Sequence, residues 1–507
     1  MNRIFCCMGL ACAIAALPAG AASCDSLAAL ALPHATVGTA QVVAAGAFTP
    51  PQGPGPNRAT AFKDLPSFCR VAATLKPVSD SEIRIEVWLP ASGWNNKLQA
   101  VGNGAWAGSI SYPALATAVA GGYAAASTDT GHTGNSGNFV MGHPEKMVDF
   151  AYRAVHEMTV TAKAIIAAFY SNSPEYSYWN GCSTGGRQAL AEAQRYPDDY
   201  DGIIAGAPAN YVTHLQGMQV WAGQQAHLNE ASAIPAAKLS TLHNAALAAC
   251  DALDGVKDGV IEDPTQCHFD PKVLACKDGD GPSCLTAAQV QLAEKIYGGP
   301  KNPRTGQPVF PGLEPGSETG WNGLIGPQAM SLAVETYQYL VHQDAAWDYK
   351  TFDPGQDVAL ADKTIAGTMN STNPHLQPFF AHGGKLLMYH GWADPGIAPQ
   401  NSVNYYTSVM KVLGDFESTE DSIRLFMVPG MGHCRGGDGT DTFDVVGALD
   451  RWVATRKAPD QNQLSCLSPQ LRQMRHQILI ECFMPDGTQN QLLAAIPFQV
   501  VGRLARA

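Results

Sequence analysis

The stretch YSYWNGCSTGGRQALAEAQR, Tyr176 to Arg195, decides how this chain folds. Tyr176 to Trp179 reads as a short aromatic strand, and about Gly186 to Arg195 reads as a helix. Between them lies Gly181-Cys182-Ser183-Thr184-Gly185, a G-x-S-x-G turn. Glycines at its ends allow a sharp turn and close helix–strand packing, so that a serine hydroxyl projects from the edge of a sheet. In a chain with 50 glycines the five-residue pattern alone is a weak signal. A strand directly before it and a helix directly after it make it strong.

The same alternation extends to both sides. Ser81 to Leu89 (SEIRIEVWL) alternates apolar and polar residues as a strand does, and Lys97 to Val101 and Gly122 to Ser127 are short apolar strands. Met147 to Tyr170 has helical spacing, and Gly202 to Ala205 is the next strand. The rhythm resumes with strands at Lys385 to Tyr389 and Ile423 to Val428. Short apolar strands alternating with helices predict an α/β fold with a mainly parallel sheet and right-handed crossovers. From about 210 to 383 the rhythm is lost. That segment reads as a large inserted domain, helical and loop-rich, a lid over the core, which leaves 23–209 and 384–507 as the catalytic domain.

Serine needs an adjacent base to act as a nucleophile. Asp394, in Ala393-Asp394-Pro395, and His433, in Gly432-His433-Cys434, each follow a predicted strand and complete the order Ser, Asp, His. His433 would take the Ser183 proton, and Asp394 would orient the imidazole. His390 is a rival base, and it is expected to line the pocket or pack structurally. Asp441 and Asp444 are rival acids that come after His433. The oxyanion hole is expected from the Thr184 N–H, directly after the nucleophile, and from the Gly102-Asn103-Gly104-Ala105 loop near Gly104. If Ser183 and His433 meet, Cys182 and Cys434 are brought together, and a disulfide between them would tie the two catalytic loops.

Composition bounds the rest. At 46% hydrophobic and 15% charged residues the chain is globular, and a net charge of −12 without a basic stripe argues against nucleic acid. Arg3, the apolar run Ile4 to Leu17 and Ala19-Gly20-Ala21 read as an export signal over 1–22, so a secreted or periplasmic protein is expected. No other run is long and apolar enough to cross a bilayer. Of 13 cysteines, Cys6, Cys7 and Cys12 fall in that leader, and the remaining even number suits disulfide pairing in an oxidising compartment. Nearest neighbours suggest Cys250–Cys267, Cys276–Cys284 and Cys466–Cys482, leaving Cys24–Cys69 beside Cys182–Cys434. Asp251, Asp254 and Asp258 lie on a glycine-broken loop whose oxygens suit a hard cation such as calcium; a solvated acidic turn is the plain alternative. A metal there is expected to be structural and remote from Ser183.

Taken together, Gly181 to Arg187, Ala393-Asp394-Pro395, Gly432-His433-Cys434 and the acidic loop resemble the tannase/feruloyl esterase family over nearly the whole mature chain. The resemblance implies an α/β-hydrolase core, a disulfide joining the catalytic loops, and a lid holding Ca2+ through Asp251, Asp254, Asp258 and the carbonyls of Val256 and Val260. It implies a serine esterase acting on esters of aromatic acids: cinnamates such as ferulate, gallate, or mono(2-hydroxyethyl) terephthalate. Gly396-Ile397-Ala398 after Asp394-Pro395 departs from the aromatic residue expected of terephthalate monoester hydrolases, so a feruloyl- or chlorogenate-type esterase is the first reading. Trp392, Ile397 and Trp106 are candidate pocket-wall residues, each of which could equally be core. A catalytically silent binding module and an acyltransferase are the rival classes.

Overall fold

The computed structural model describes residues 22–51, 62–414, 421–459 and 499–500; the expected leader through residue 21 and the expected Cys466–Cys482 pair lie outside them. The described strands form one sheet: β1 (Ala35–Val43), β2 (Phe68–Leu75), β3 (Ile83–Pro90), β4 (Lys97–Val101), β5 (Ala124–Thr128), β6 (Tyr176–Cys182), β7 (Gly202–Gly206), β8 (Lys385–Gly391), β9 (Ile423–Val428) and β10 (Gln499–Val500). Their spatial order is β1-β2-β3-β5-β4-β6-β7-β8-β9-β10. From β5 through β4 to β9 the pairing is parallel. The β1-β2-β3-β5 edge and β10 are antiparallel. This is the mainly parallel sheet of an α/β hydrolase. The strands at 97–101 and 423–428 match the sequence expectation residue for residue. The antiparallel pair β1 and β2 was not legible: β1 lies at the sheet edge, partly exposed throughout, without a clean apolar face.

The longer helices are α1 (Tyr112–Ala120), α2 (Ala154–Tyr170), α3 (Thr184–Arg195), α4 (Val212–His227), α5 (Ala236–Cys250), α6 (Ala287–Gly298), α7 (Gln356–Thr364), α8 (Gln400–Leu413) and α9 (Val445–Thr455). The helix expected over 147–170 is continuous in direction but changes winding. A π-helical turn, Asp149–Arg153, precedes α2 and carries buried Asp149, which accepts from Arg153 Nε (2.5 Å) and Ser81 Oγ (3.0 Å).

Alternation along the strands builds a core on each face of the sheet. On one face Leu98, Trp179, Ile203, Leu386 and Leu425 pack with Met158 and Ile165 of α2 and Val409 of α8. On the other, Val101, Tyr178, Ile204, Leu387 and Phe426 meet Leu115 of α1 and Trp452 of α9. Both faces are covered, which is why strands such as β5 and β7 are buried at every position.

Between β7 and β8 the chain adds no strand and instead carries α4 to α7. Leu215, Leu242, Ile296, Trp321 and Phe352 form a separate apolar cluster there, which takes in Trp106, Phe150 and Ile397 from the sheet half. The two halves therefore share a core at one place, above the ends of β4, β6 and β8. Cys250–Cys267 and Cys276–Cys284 staple this insertion locally, and Cys24–Cys69 anchors the N-terminal segment to β2.

Candidate active site

Strand β6 ends at Cys182 and α3 begins at Thr184, so Ser183 is the whole of the turn, at φ +64°. A non-glycine residue holds that conformation only where its surroundings impose it. Ser183 N–H donates to Gly206 O on the neighbouring strand (3.0 Å), and Ser183 O accepts from Arg187 N and Ala209 N. Gly181 and Gly185 are required by close approach: a Cβ on Gly181 would lie 2.5 Å from Gly185 O.

Asp394 follows β8 and is completely buried, yet each of its oxygens has two donors. His433 Nδ1 (2.6 Å) and His390 Nε2 (3.0 Å) reach Oδ2, while Gly396 N and Ile397 N (2.8 and 2.9 Å) reach Oδ1. Burial alone would raise its pKa; the two imidazoles outweigh it and hold the carboxyl far below its ordinary range. Burial likewise pulls His433 down, but the Asp394 charge and hydrogen bond leave it above its ordinary value. With Nδ1–H committed to Asp394, Nε2 is the nitrogen left to take a proton. Ser183 and His433 line one cavity, and the Cys182–Cys434 disulfide joins their immediate neighbours. His390 is not placed as a base: it is fully buried, with Nδ1 bonded to Ser402 Oγ (2.7 Å) and Nε2 bonded to Asp394.

Thr184 also lines the cavity, and as the first residue of α3 its N–H has no partner within the helix. Its Oγ1 donates to Ala105 O (3.1 Å), tying the helix to the loop after β4. Asn103 fixes that loop further through a reciprocal pair with Gln188 of α3, at 3.1 Å in each direction. The expectation for Gly104 needs correction. Gly104 is exposed and does not line the cavity, whereas Ala105, turned by φ +48°, does. The loop residue that lines the cavity with Ser183 is therefore Ala105.

Of the three candidate pocket residues, Trp106 and Ile397 line the cavity, with Phe150, Leu215, Met330 and Met369 among the others. Trp392 does not. Its backbone N–H donates to Val428 O as β8 ends; the residue is buried in the sheet core that includes Met158 and Val409, and it borders a crevice lined also by Val260, Ala393 and Gly430. Sequence reasoning also missed Gln216 and Gln219 of α4, which line the cavity at positions in step with Val212 and Leu215. The signal was present as two buried amides on an apolar helix face.

The acidic loop reaches the same crevice. Gly259 and Val260 line it together with Trp392 and Ala393, just before Asp394, and with Gly430 of the His433 loop. Nearby, His243 of α5 bridges Glu318 (3.0 Å) and Asp438 (3.1 Å), clasping the insertion to the segment just after Cys434. Its hydrogen bonds to Asp438 and then Glu318 push it up to about 9. Within the acidic loop, Asp251 accepts from Asp258 N and Gly259 N, Asp254 from Val256 N, and Asp258 from Val260 N. Beside them Glu262 is half-buried, and its Oε1 is buried with no partner among the described residues. The donors are all oxygens and the negative charge is crowded, which suits a hard dication. The carboxylates nevertheless turn to the loop's own amides. Among the described residues, the acidic and histidine trio whose ligand atoms lie within 4.8 Å of one another is His156, Glu192 and Asp199, at the far end of α3.

Known proteins resemble this chain in sequence and in fold. A family model described as "Tannase and feruloyl esterase" matches residues 69–482. An uncharacterised esterase of Xanthomonas campestris pv. campestris is 38% identical, with 87% of this chain and 83% of that protein covered. The crystal structure of feruloyl esterase B from Aspergillus oryzae superposes with a TM-score of 0.81 at 32% identity, over 88% of this chain and 92% of that one. Tannin acyl hydrolase from Aspergillus niger superposes at 0.73 over 92% and 94%; at 24% identity that likeness speaks for the fold.

Proposed function

The chain belongs to the tannase and feruloyl esterase family and is a carboxylic ester hydrolase; on that premise we propose that it hydrolyses feruloyl- or chlorogenate-type esters of aromatic acids through an acyl-enzyme on Ser183. The observation that carries this reading is the meeting of Ser183, Thr184 and His433 at one cavity whose walls are largely apolar and aromatic. His433 Nε2 takes the Ser183 proton as Oγ attacks the ester carbonyl, and Asp394 stabilises the imidazolium. The Thr184 N–H, at the positive end of α3, faces the developing oxyanion, with a second donor from the Ala105 turn. The imidazolium returns its proton to the leaving alkoxide, and the acyl group stays on Ser183 until water, activated by the same imidazole, releases the acid.

The test is a hydrolysis panel of methyl ferulate, chlorogenate, methyl gallate and mono(2-hydroxyethyl) terephthalate. Highest kcat/KM on ferulate or chlorogenate supports the reading. A preference for gallate moves the chain to the tannases, and one for the terephthalate monoester moves it to those hydrolases. No turnover, with Ser183 unreactive, would leave a binding module. Product analysis with added alcohol separates hydrolysis from acyl transfer.

The segment 210–383 is best read as a lid that forms the acid side of the cavity. Its acidic loop would hold Ca2+ through Asp251, Asp254, Asp258 and the Val256 and Val260 carbonyls; bound there, the ion would neutralise crowded carboxylates and brace the loop against the catalytic segments. Excess chelator should then lower the melting temperature, and an unaltered melting curve would count against the ion. The leader-like N-terminus and four disulfides support export to the periplasm or medium. Among the described residues no helix is long and apolar enough to cross a membrane.

A further inference from the structure

We infer that Gln216 and Gln219 read free hydroxyl groups on the ring of the acyl part, so that phenolic acids are preferred over unsubstituted, fully O-methylated or carboxylate-bearing ones. This deepens the aromatic-ester reading above and rests on it. Helix α4 turns Val212, Leu215, Gln216 and Gln219 towards the cavity that holds Ser183 and His433. Those positions recur as i, i+3, i+4 and i+7, a single helical face. Two members of that face are apolar, as the surrounding wall is; the other two are amides.

The amides are left incomplete. Gln219 is 2% exposed, and its Nε2 donates to Gly396 O at 2.8 Å. That bond fixes the orientation of the amide, so the remaining Oε1 can only accept. It is buried and has no partner among the described residues. Gln216 is 5% exposed, and its Oε1 is likewise buried and unpartnered. Buried polar atoms without partners are rare because desolvation is uncompensated. Two on one helix face beside a catalytic serine mark the place where a ligand supplies what is missing. An amide oxygen lacks a donor, and on the acid part of an aromatic ester the donor is a ring O–H. Ether and carboxylate oxygens are acceptors and would meet the fixed Gln219 Oε1 lone pair to lone pair.

The cation in the cavity wall does not compete for this role. Arg187 is buried, donates to Ala151 O (2.7 Å) and Phe150 O (3.1 Å), and stacks 5.0 Å above the Phe150 ring. Its guanidinium is thus engaged on the side of the π turn, and a free carboxylate on the substrate would lack a dedicated partner. Gln219 has a further link: Gly396, which holds its amide through the carbonyl, also donates its N–H to Asp394. Recognition of the ring and placement of the catalytic acid therefore use one short segment.

The experiment compares kcat/KM for methyl cinnamate, methyl coumarate, methyl caffeate, methyl dimethoxycinnamate and mono(2-hydroxyethyl) terephthalate. Sites built to bond a hydroxyl reject analogues that lack it strongly, so caffeate and coumarate should exceed cinnamate and dimethoxycinnamate by at least about tenfold. In Gln216→Leu/Gln219→Leu the caffeate-to-cinnamate ratio should fall towards unity. Gln216→Met alone, nearly isosteric at a side chain bonded to no other residue, should lower the ratio in part should the double variant fail to fold. Equal rates across the series in the parent enzyme, an undiminished ratio in the folded variants, or faster turnover of the terephthalate monoester than of caffeate would each overturn the inference while leaving an aromatic esterase. Failure to hydrolyse any aromatic ester would instead remove the functional reading itself, and this inference with it.

Discussion

The catalytic loops and the cavity face of the insertion differ in how completely their polar atoms are satisfied. Asp394 is buried and bonded four times over, by two imidazoles and two backbone amides. On α4, Gln216 and Gln219 each keep a buried oxygen with no partner among the described residues. The covalent ties differ in the same sense. Cys182–Cys434 spans 252 residues, while the insertion's own bridges span 17 and 8. Long-range links fix the chemical groups before any substrate arrives, whereas the recognition face is held by local links and completed by the ligand. Preorganised groups are what a transition state requires, and unmet hydrogen bonds are what discriminates one acid from another.

The sharpest way to break this contrast is to loosen the over-satisfied side. Asp394→Asn should lower kcat by about 10⁴-fold with the fold retained, by analogy with the same change in other triads. It should also shift the pH profile. His433 must be neutral to act as a base, and the Asp394 charge holds its pKa above the ordinary value of about 6.5. The parent enzyme should therefore lose kcat/KM as pH falls through a pKa above that value, and the variant's acid limb should move to lower pH. An unmoved limb would mean that Asp394 does not govern His433.

A smaller effect compares the bridges. Chain entropy assigns roughly 5 kcal/mol to closing the 252-residue loop and about 2.5 kcal/mol to the eight-residue one. Cys182→Ser/Cys434→Ser should accordingly depress thermal stability more than Cys276→Ser/Cys284→Ser, and it alone should depress kcat, because it frees Ser183 and His433 from each other. Equal losses in both pairs would show that the long bridge does no more than cross-link.

The smallest concerns the seam between the regions. His243 is held above its ordinary pKa by Asp438 and Glu318, so its contribution is fully present below about 6.5 and is lost as pH rises through about 9. Tyr297, which donates to Glu318 at 2.6 Å, stays protonated across that window because burial raises it. His243→Gln should cost on the order of 1 kcal/mol at pH 6 and progressively less towards pH 10 in urea unfolding. A pH-independent difference would assign His243 to packing alone.

How much of this could be read from the chain follows the same division. Ser183, Asp394 and His433 were legible because each sits beside a strand whose apolar pattern is local, and because two cysteines marked their approach. Trp392 misled for a related reason: adjacency to Asp394 suggested the pocket, but the residue is buried in the sheet core and borders a different crevice, shared with Val260. Gly104 misled because a glycine suggested the turn that Ala105 makes, at φ +48°. The edge strands β1 and β2 and the pairing of His390 with Asp394 depend on contacts distant in sequence. So do the two glutamines, whose meaning appears only once α4 is laid across the cavity.

The central claim is that Ser183 is the activated nucleophile of a single cavity, and intact-mass analysis after treatment with a fluorophosphonate tests it most directly. One adduct per chain, mapped to the peptide containing Ser183, abolished in Ser183→Ala and slowed in His433→Ala, is the predicted result. A folded protein that remains unlabelled, or one labelled to the same extent when Ser183 is replaced by alanine, would contradict it.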